Sequence, residues 1–393
     1  MFSSRVPADL APNRVTGALR ARRESGETVI DLTESNPTRA GFDYPADLLE
    51  PLGRARGLAY TPAPLGLADA RRAIAADYAR QGIPVSPDRI VLTASTSDGY
   101  SLLFKLLANA GDEVLVPRPS YPLFDYLTRL DLLVTRYYDL EIDGSWSIDF
   151  PSLERAINAR TRAVLVVSPN NPTGSFITQA DLDRLSAMCA TRDIAIVADE
   201  VFADYELEPG AAGRAGRDTK REDVLSFALG GLSKSVGLPQ VKLGWMAVGG
   251  PDRLVSDALE RLELVCDTYL AVSTPAQLAA EELLVRGAIV RTQIRERVAA
   301  NYRALKMAVA GVPSCGVLPG EGGWYAVLRV PSLESEEDLV VRLVADGVLT
   351  HPGYFFDFPR ESYVIVSLLP SELAFADGVT RVLRHFDCKA SGQ

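Results

Sequence analysis

The residues best suited to chemistry lie between Ser226 and Trp245, in S-F-A-L-G-G-L-S-K-S-V-G-L-P-Q-V-K-L-G-W. Lys234 follows a short apolar run and sits among small residues. Glycines at 230, 231, 237 and 244 let a backbone turn tightly and approach a ligand closely. Lys242 comes eight residues after Lys234. Two readings stand side by side. The lysines are solvated charges on a surface loop, or Lys234 is an imine-forming nucleophile and Lys242 its cationic partner toward a phosphate.

Three upstream segments bear on the choice. T-A-S-T-S-D at 93–98 puts small residues at the start of a helix, where free backbone N–H groups can hold a phosphate; Ser97 or Asp98 would serve equally as a plain N-cap. S-P-N-N-P-T-G at 168–174 carries strong turn signals, and it would project Asn171 as a neutral donor. A-D-E-V-F-A-D-Y at 198–205 brings Asp199 out of an apolar strand, a costly place for a carboxylate unless a cation pairs with it. The chain has only two histidines, His351 and His385, in no metal-ligating spacing. No metal is expected, and acid–base work falls to lysine, tyrosine or carboxylates.

These groups need a frame that gathers them. Strand-like runs occur at 90–94, 113–117, 132–138, 163–167, 194–198, 224–229 and 244–248, with helical segments between many of them, as at 98–110 and 178–190. Short apolar strands alternating with helices predict an α/β fold with a mainly parallel seven-stranded sheet covered on both faces. All four chemical segments then fall at strand ends, where open parallel sheets bind ligands. After 251 the pattern turns to long helices, 251–267 and roughly 275–311. Strands near 325–329 and 363–368 and a last helix at 372–386 follow, as a smaller α+β domain. The expected division is a large domain at 45–290 and a small domain of 1–44 plus 291–393.

With 393 residues, 47% hydrophobic and 23% charged, the composition is that of an ordinary soluble protein, and a net charge of -10 argues against nucleic acid or an anionic membrane as partner. Four separated cysteines suggest neither a disulfide framework nor zinc. The N-terminus lacks signal-peptide features and no apolar run is long enough to span a bilayer, so a cytoplasmic location is expected.

Phosphate cradle, asparagine, aspartate and lysine occur in that order, as N-N-P-T-G, A-D-E-V and L-S-K-S-x-G-L-P after T-A-S-T-S-D. From about Asp31 onward the chain resembles the fold-type I aminotransferases that use pyridoxal phosphate, the aspartate aminotransferase superfamily. The resemblance implies that Lys234 carries the cofactor as a Schiff base and moves the proton. Asp199 would keep the pyridine nitrogen protonated, and Asn171 would hydrogen-bond the phenolic oxygen. Ser95, Thr96, Ser97, Ser233 and Lys242 would hold the phosphate, and Tyr121 would stack on the ring. Tyr60 would reach the neighbouring subunit's phosphate, which makes a homodimer the active unit. Ser35 and Asn36 would meet the substrate.

Several positions depart from the superfamily's pattern. Lys242 stands for an arginine, Gly231 for a serine and Phe202 for a tyrosine, and Ile365 occupies the place of the arginine that takes the substrate α-carboxylate. Arg360 is either its substitute or a surface turn residue. The arginine that selects dicarboxylates is missing from T-Y-L-A-V-S-T-P, so the expected reaction is amino transfer between a neutral or aromatic α-amino acid and a 2-oxo acid. Decarboxylation, elimination or cyclisation on the same cofactor is the alternative. A ligand-sensing regulator is disfavoured, because little chain precedes residue 30 for a DNA-binding segment.

Overall fold

The computed structural model describes residues 2–217, 221–270, 272–360 and 362–387. The chain enters through α1 (Arg14–Glu24) and the short strand β1 (Ile30–Asp31), and α2 (Ala68–Arg80) then leads into alternating elements. These are β2 (Ile90–Thr93), α3 (Thr96–Leu107), β3 (Glu113–Arg118), α4 (Phe124–Leu130), β4 (Val134–Asp143), β5 (Ser145–Ile148) and α5 (Phe150–Ala156). β6 (Thr161–Val167), α6 (Gln179–Ala190), β7 (Ala195–Asp199), β8 (Ser226–Gly231), the one-turn α7 (Leu232–Ser235) and β9 (Gly244–Gly249) complete the series.

The strands form one sheet in the order β2-β9-β8-β7-β6-β3-β4-β5. β8, β7, β6, β3 and β4 run parallel, while β9 is antiparallel to both β2 and β8. All seven expected strands are present. The eighth, β5, is the antiparallel hairpin partner of β4; with only Trp146 and Ile148 buried, its alternation is too brief to stand out in the sequence. β2, β8 and β9 are buried at every position, as a sheet packed on both faces requires.

Beyond the sheet come α8 (Asp252–Tyr269), α9 (Thr274–Arg286) and α10 (Ala288–Val309). The single helix expected over 275–311 is therefore two, parted at Gly287. A Cβ there would lie 2.5 Å from the Leu283 carbonyl and 2.7 Å from Val236 Cβ, so the close approach of the Val236 segment sets the break. A second, antiparallel sheet joins β10 (Gly316–Val317), β11 (Tyr325–Arg329), β13 (His351–Pro352) and β14 (Tyr363–Ser367), after α11 (Glu336–Ala345) and β12 (Val348–Leu349) take their places in the chain. β1 pairs in parallel with β12, tying the N-terminal arm to this part, and α12 (Glu372–Arg384) closes it.

Among the described residues no helix is long and apolar enough to cross a membrane, and no cluster of His, Cys, Asp or Glu could hold a metal. Cys189, Cys266 and Cys315 are buried, and among the described residues none of them forms a disulfide. Cys388 lies outside the described residues.

Candidate active site

Strand register brings the chemical segments to one edge. Val167, Asp199 and Leu229 are level across β6, β7 and β8, while Thr93, Gly244 and Gly231 are level across β2, β9 and β8. Because β9 runs antiparallel, its first residues meet the carboxyl ends of the parallel strands. A cavity of about 290 Å³ opens there, and among the described residues its only charged lining side chains are Asp199 and Lys234. Asn171 lies beside them, and Ser95, Thr96, Ser97 and Ser233 line another wall. Tyr121 and Phe202 give it aromatic surface, and Ser35 and Tyr325 come from the N-terminal arm and β11 to close it.

Asp199 is the last residue of β7. Its carboxylate accepts from the Tyr100 hydroxyl at 3.1 Å and from the Val201 N–H at 3.1 Å. Burial pushes this carboxyl up to about 6, against the pull of those two donors and of Lys234. Burial likewise lowers the Lys234 ammonium to about 8, with Asp199 acting the other way. The Lys234 Nζ stands 4.6 Å from the Trp324 ring centroid and 5.5 Å from that of Phe202. A buried carboxylate raised by its burial and a lysine lowered by its own are therefore housed together.

The serine- and threonine-lined wall is the N-terminus of α3. Ser95 is the N-cap, its Oγ accepting from the Asp98 N–H at 3.1 Å, while Asp98 Oδ2 accepts from the Ala94 N–H at 2.9 Å. The cap is thus Ser95 with Asp98 reciprocating, which leaves Thr96 and Ser97 as the first helical residues facing the cavity. A side chain at Gly244 would come within 2.9 Å of Thr93 Oγ1 and 3.0 Å of the Ser95 carbonyl carbon, so glycine is needed where β9 passes this turn. Gly230 and Gly231 belong to β8 rather than to a loop; a Cβ at Gly230 would meet the Trp245 indole nitrogen at 2.5 Å.

Four expected residues lie elsewhere. Lys242 does not line the cavity: it is exposed, in the left-handed backbone region (φ 58°) after the turn Pro239–Val241. Asn36 is turned to capping, its Oδ1 accepting from the Thr38 N–H and hydroxyl at 3.0 and 2.8 Å. Arg360 is exposed in a bend and does not line the cavity, and Ile365 is buried with Val327 and Phe356. Tyr60 is 65% exposed and does not line the cavity of its own chain.

Residue types at strand ends did not reveal Tyr100, Trp324 or Tyr325. Tyr100 is a buried helix residue whose hydroxyl reaches Asp199. Trp324 is fully buried beneath Lys234, and its indole nitrogen has no partner among the described residues. Tyr325 hydrogen-bonds with Ser35, and burial pushes its phenol up to about 12. In the sequence, only the glycine-flanked aromatic pair G-G-W-Y at 322–325 marks this wall.

The cavity suits a phosphorylated pyridine aldehyde. Asn171 carries a buried Oδ1 without a partner among the described residues, and a turn of the amide would present its NH₂ at the same point. Asp199 lacks a full counter-charge, Lys234 can lose its proton, and α3 offers free N–H groups.

A family model described as aminotransferase class I and II matches residues 26–371. The glutamate-pyruvate aminotransferase AlaA of Haemophilus influenzae is 26% identical over 383 residues, covering 93% of this chain and 92% of the relative. Human tyrosine aminotransferase is 26% identical over 417 residues, covering 98% and 89%. The alanine aminotransferase of Pyrococcus furiosus shares the fold, with a TM-score of 0.86, 23% identity and coverage of 98% and 99%.

Proposed function

The chain belongs to the class I and II aminotransferases and is an aminotransferase that uses pyridoxal phosphate; on that footing we propose that it exchanges the amino group of a neutral or aromatic α-amino acid with a 2-oxo acid, with the cofactor attached to Lys234. The observation that carries this reading is the meeting of Lys234, Asp199, Asn171 and the start of α3 in one cavity, with no other charged lining side chain among the described residues. The relative named for tyrosine supports an aromatic substrate and the pyruvate of the glutamate–pyruvate relative a small one, while that relative's glutamate is a dicarboxylate.

Pyridoxal phosphate, when bound, supplies an electron sink for the bond broken at the amino-bearing carbon. Lys234 Nζ takes the proton from that carbon and returns it, a task suited to an amine whose burial favours the neutral form. The Asp199 carboxylate holds a proton on the ring nitrogen, and the positive charge it faces there offsets its own burial. The Tyr100 hydroxyl and Val201 N–H fix that carboxylate's orientation. Of the residues that line the cavity, Asn171 would donate to the ring oxygen, Tyr121 would cover the ring, and the Thr96 and Ser97 N–H groups would take the phosphate with Ser95 and Ser233 beside them. Ser35 meets the substrate at the mouth, next to Tyr325.

The division into 45–290 and 1–44 plus 291–393 belongs to the same reading, the second part closing the cavity over the sheet of the first. The active unit is a homodimer in which Tyr60 serves the neighbouring site, supported by its exposure here. A cytoplasmic location is supported by three buried cysteines that form no disulfide among the described residues.

A donor screen followed by mass analysis tests the proposal. Neutral or aromatic donors should yield 2-oxo acids. They should outperform aspartate by about tenfold or more in kcat/KM, because a buried second carboxylate without a cation costs upward of about 1.4 kcal/mol. An amine product would mean decarboxylation, and a preference for aspartate would contradict the proposed donor class.

A further inference from the structure

α7 is a single turn, too short to hold its own geometry, yet it carries the lysine. Its last carbonyls are gripped from outside. The Tyr205 hydroxyl donates to the Lys234 carbonyl, with a second contact to the Ser235 carbonyl at 3.4 Å. Arg291, in the first turn of α10, donates through Nε to the Ser235 carbonyl at 2.8 Å. Tyr44, from the N-terminal arm, donates to the Gly237 carbonyl at 2.7 Å.

Arg291 is itself locked. Its guanidinium reaches Asp77 Oδ1 at 3.2 Å and Asp204 Oδ2 at 3.6 Å, and all three side chains are only 9% exposed. Arg80 closes the ring, meeting Asp77 at 2.9 Å and Asp204 at 2.7 Å. Tyr205 is fully buried and packs on Trp324 at 5.2 Å between ring centroids; Trp324 is also the ring below the Lys234 ammonium. The glycine break before α10 brings Arg291 to this place, since Gly287 lies against Val236. None of these groups lines the cavity.

We propose that Arg291 and Tyr205 are positioning residues for Lys234: they fix the backbone carbonyls of its one-turn helix and so hold Nζ at the cavity floor, above Trp324. A carbonyl held by a guanidinium that is itself fixed by two carboxylates has little freedom to move. The inference rests on Lys234 being the residue that captures the cofactor.

The test compares two probes on the full chain freed of cofactor. Pyridoxal phosphate is captured through its aldehyde by the lysine. Pyridoxamine phosphate carries an amine in its place and binds without that bond, relying on the same ring and phosphate contacts. Tyr205→Phe removes one hydroxyl and keeps the ring on Trp324. Arg291→Lys keeps a cation for Asp77 and Asp204 but loses the fork. In each, calorimetric affinity for pyridoxal phosphate should fall about tenfold, the equivalent of one hydrogen bond, while affinity for pyridoxamine phosphate stays within about twofold. Parallel weakening of both probes would overturn the inference, since it marks general damage to the site. Unchanged capture in both variants would overturn it too. The underlying reading fails separately, if the unmodified protein reduced with borohydride in the presence of pyridoxal phosphate carries no label on Lys234.

Discussion

Asp199 and Lys234 each cost the cofactor-free protein stability, in different pH windows. The Asp199 carboxyl titrates at about 6 in the folded chain and near 3.9 when unfolded, so the folded state holds more protons between those values and loses stability as pH rises through them. Asp199→Asn should therefore stabilise the cofactor-free protein at pH 7.5, by at most about 3 kcal/mol, and markedly less at pH 5. Denaturant unfolding at the two pH values measures this; an equal gain at both would mean that the carboxylate is not the source. Lys234 acts oppositely: titrating at about 8 when folded and near 10.4 when unfolded, it lets stability rise with pH across that interval.

Phe202 lines the cavity without a donor, and the Tyr205 hydroxyl is committed to the Lys234 carbonyl, so it does not take that place. Phe202→Tyr should add a charge-assisted hydrogen bond to the ionised ring oxygen. At about 1.5–3 kcal/mol, with 1.4 kcal/mol per pH unit, it should lower the absorbance pKa of the bound cofactor by about one to two units. A spectrophotometric titration that finds it unchanged or raised would mean the new hydroxyl does not face that oxygen. At this scale the sequence was informative where chemistry and local structure coincide. Asn171 and Lys234 follow a buried strand and Asp199 ends one, so residue type and strand end locate them together. Trp324 and Tyr100 carry no such local mark; only tertiary packing brings them to the lysine and the aspartate. Arg360 and Asn36 had plausible types but were placed by local backbone needs, a bend and a cap.

At the scale of elements, apolar patterning exposed every buried strand of the main sheet, because strands covered on both faces read as continuous apolar runs. The same signal concealed the break in the long helix. A helical period runs through 275–311, and an isolated glycine costs a helix only about 1 kcal/mol. What parts α9 from α10 is contact with Val236 on the lysine segment, information that no window of sequence contains. Gly287→Ala should lower stability by about 1–3 kcal/mol through overpacking against Val236 and the Leu283 carbonyl. A denaturation midpoint equal to that of the parent protein would show that the helix junction relaxes freely.

For the whole molecule, Tyr60 sits 65% exposed near Leu58, which is 90% exposed, and lies outside its own cavity. If it serves a second copy, co-expression of Tyr60→Phe with Lys234→Ala yields hybrid dimers with one site in which both groups are intact. Such mixtures should regain activity that neither variant shows at full strength alone; failure to complement would confine Tyr60 to its own subunit. The central claim, that Lys234 is the point at which this aminotransferase holds its cofactor, has a more direct test. The protein is incubated with pyridoxal phosphate, reduced with borohydride, digested and mapped by mass spectrometry. The pyridoxyl label is expected on the peptide containing Lys234 and absent from the Lys234→Ala protein, whereas a label on Lys242 would contradict the account.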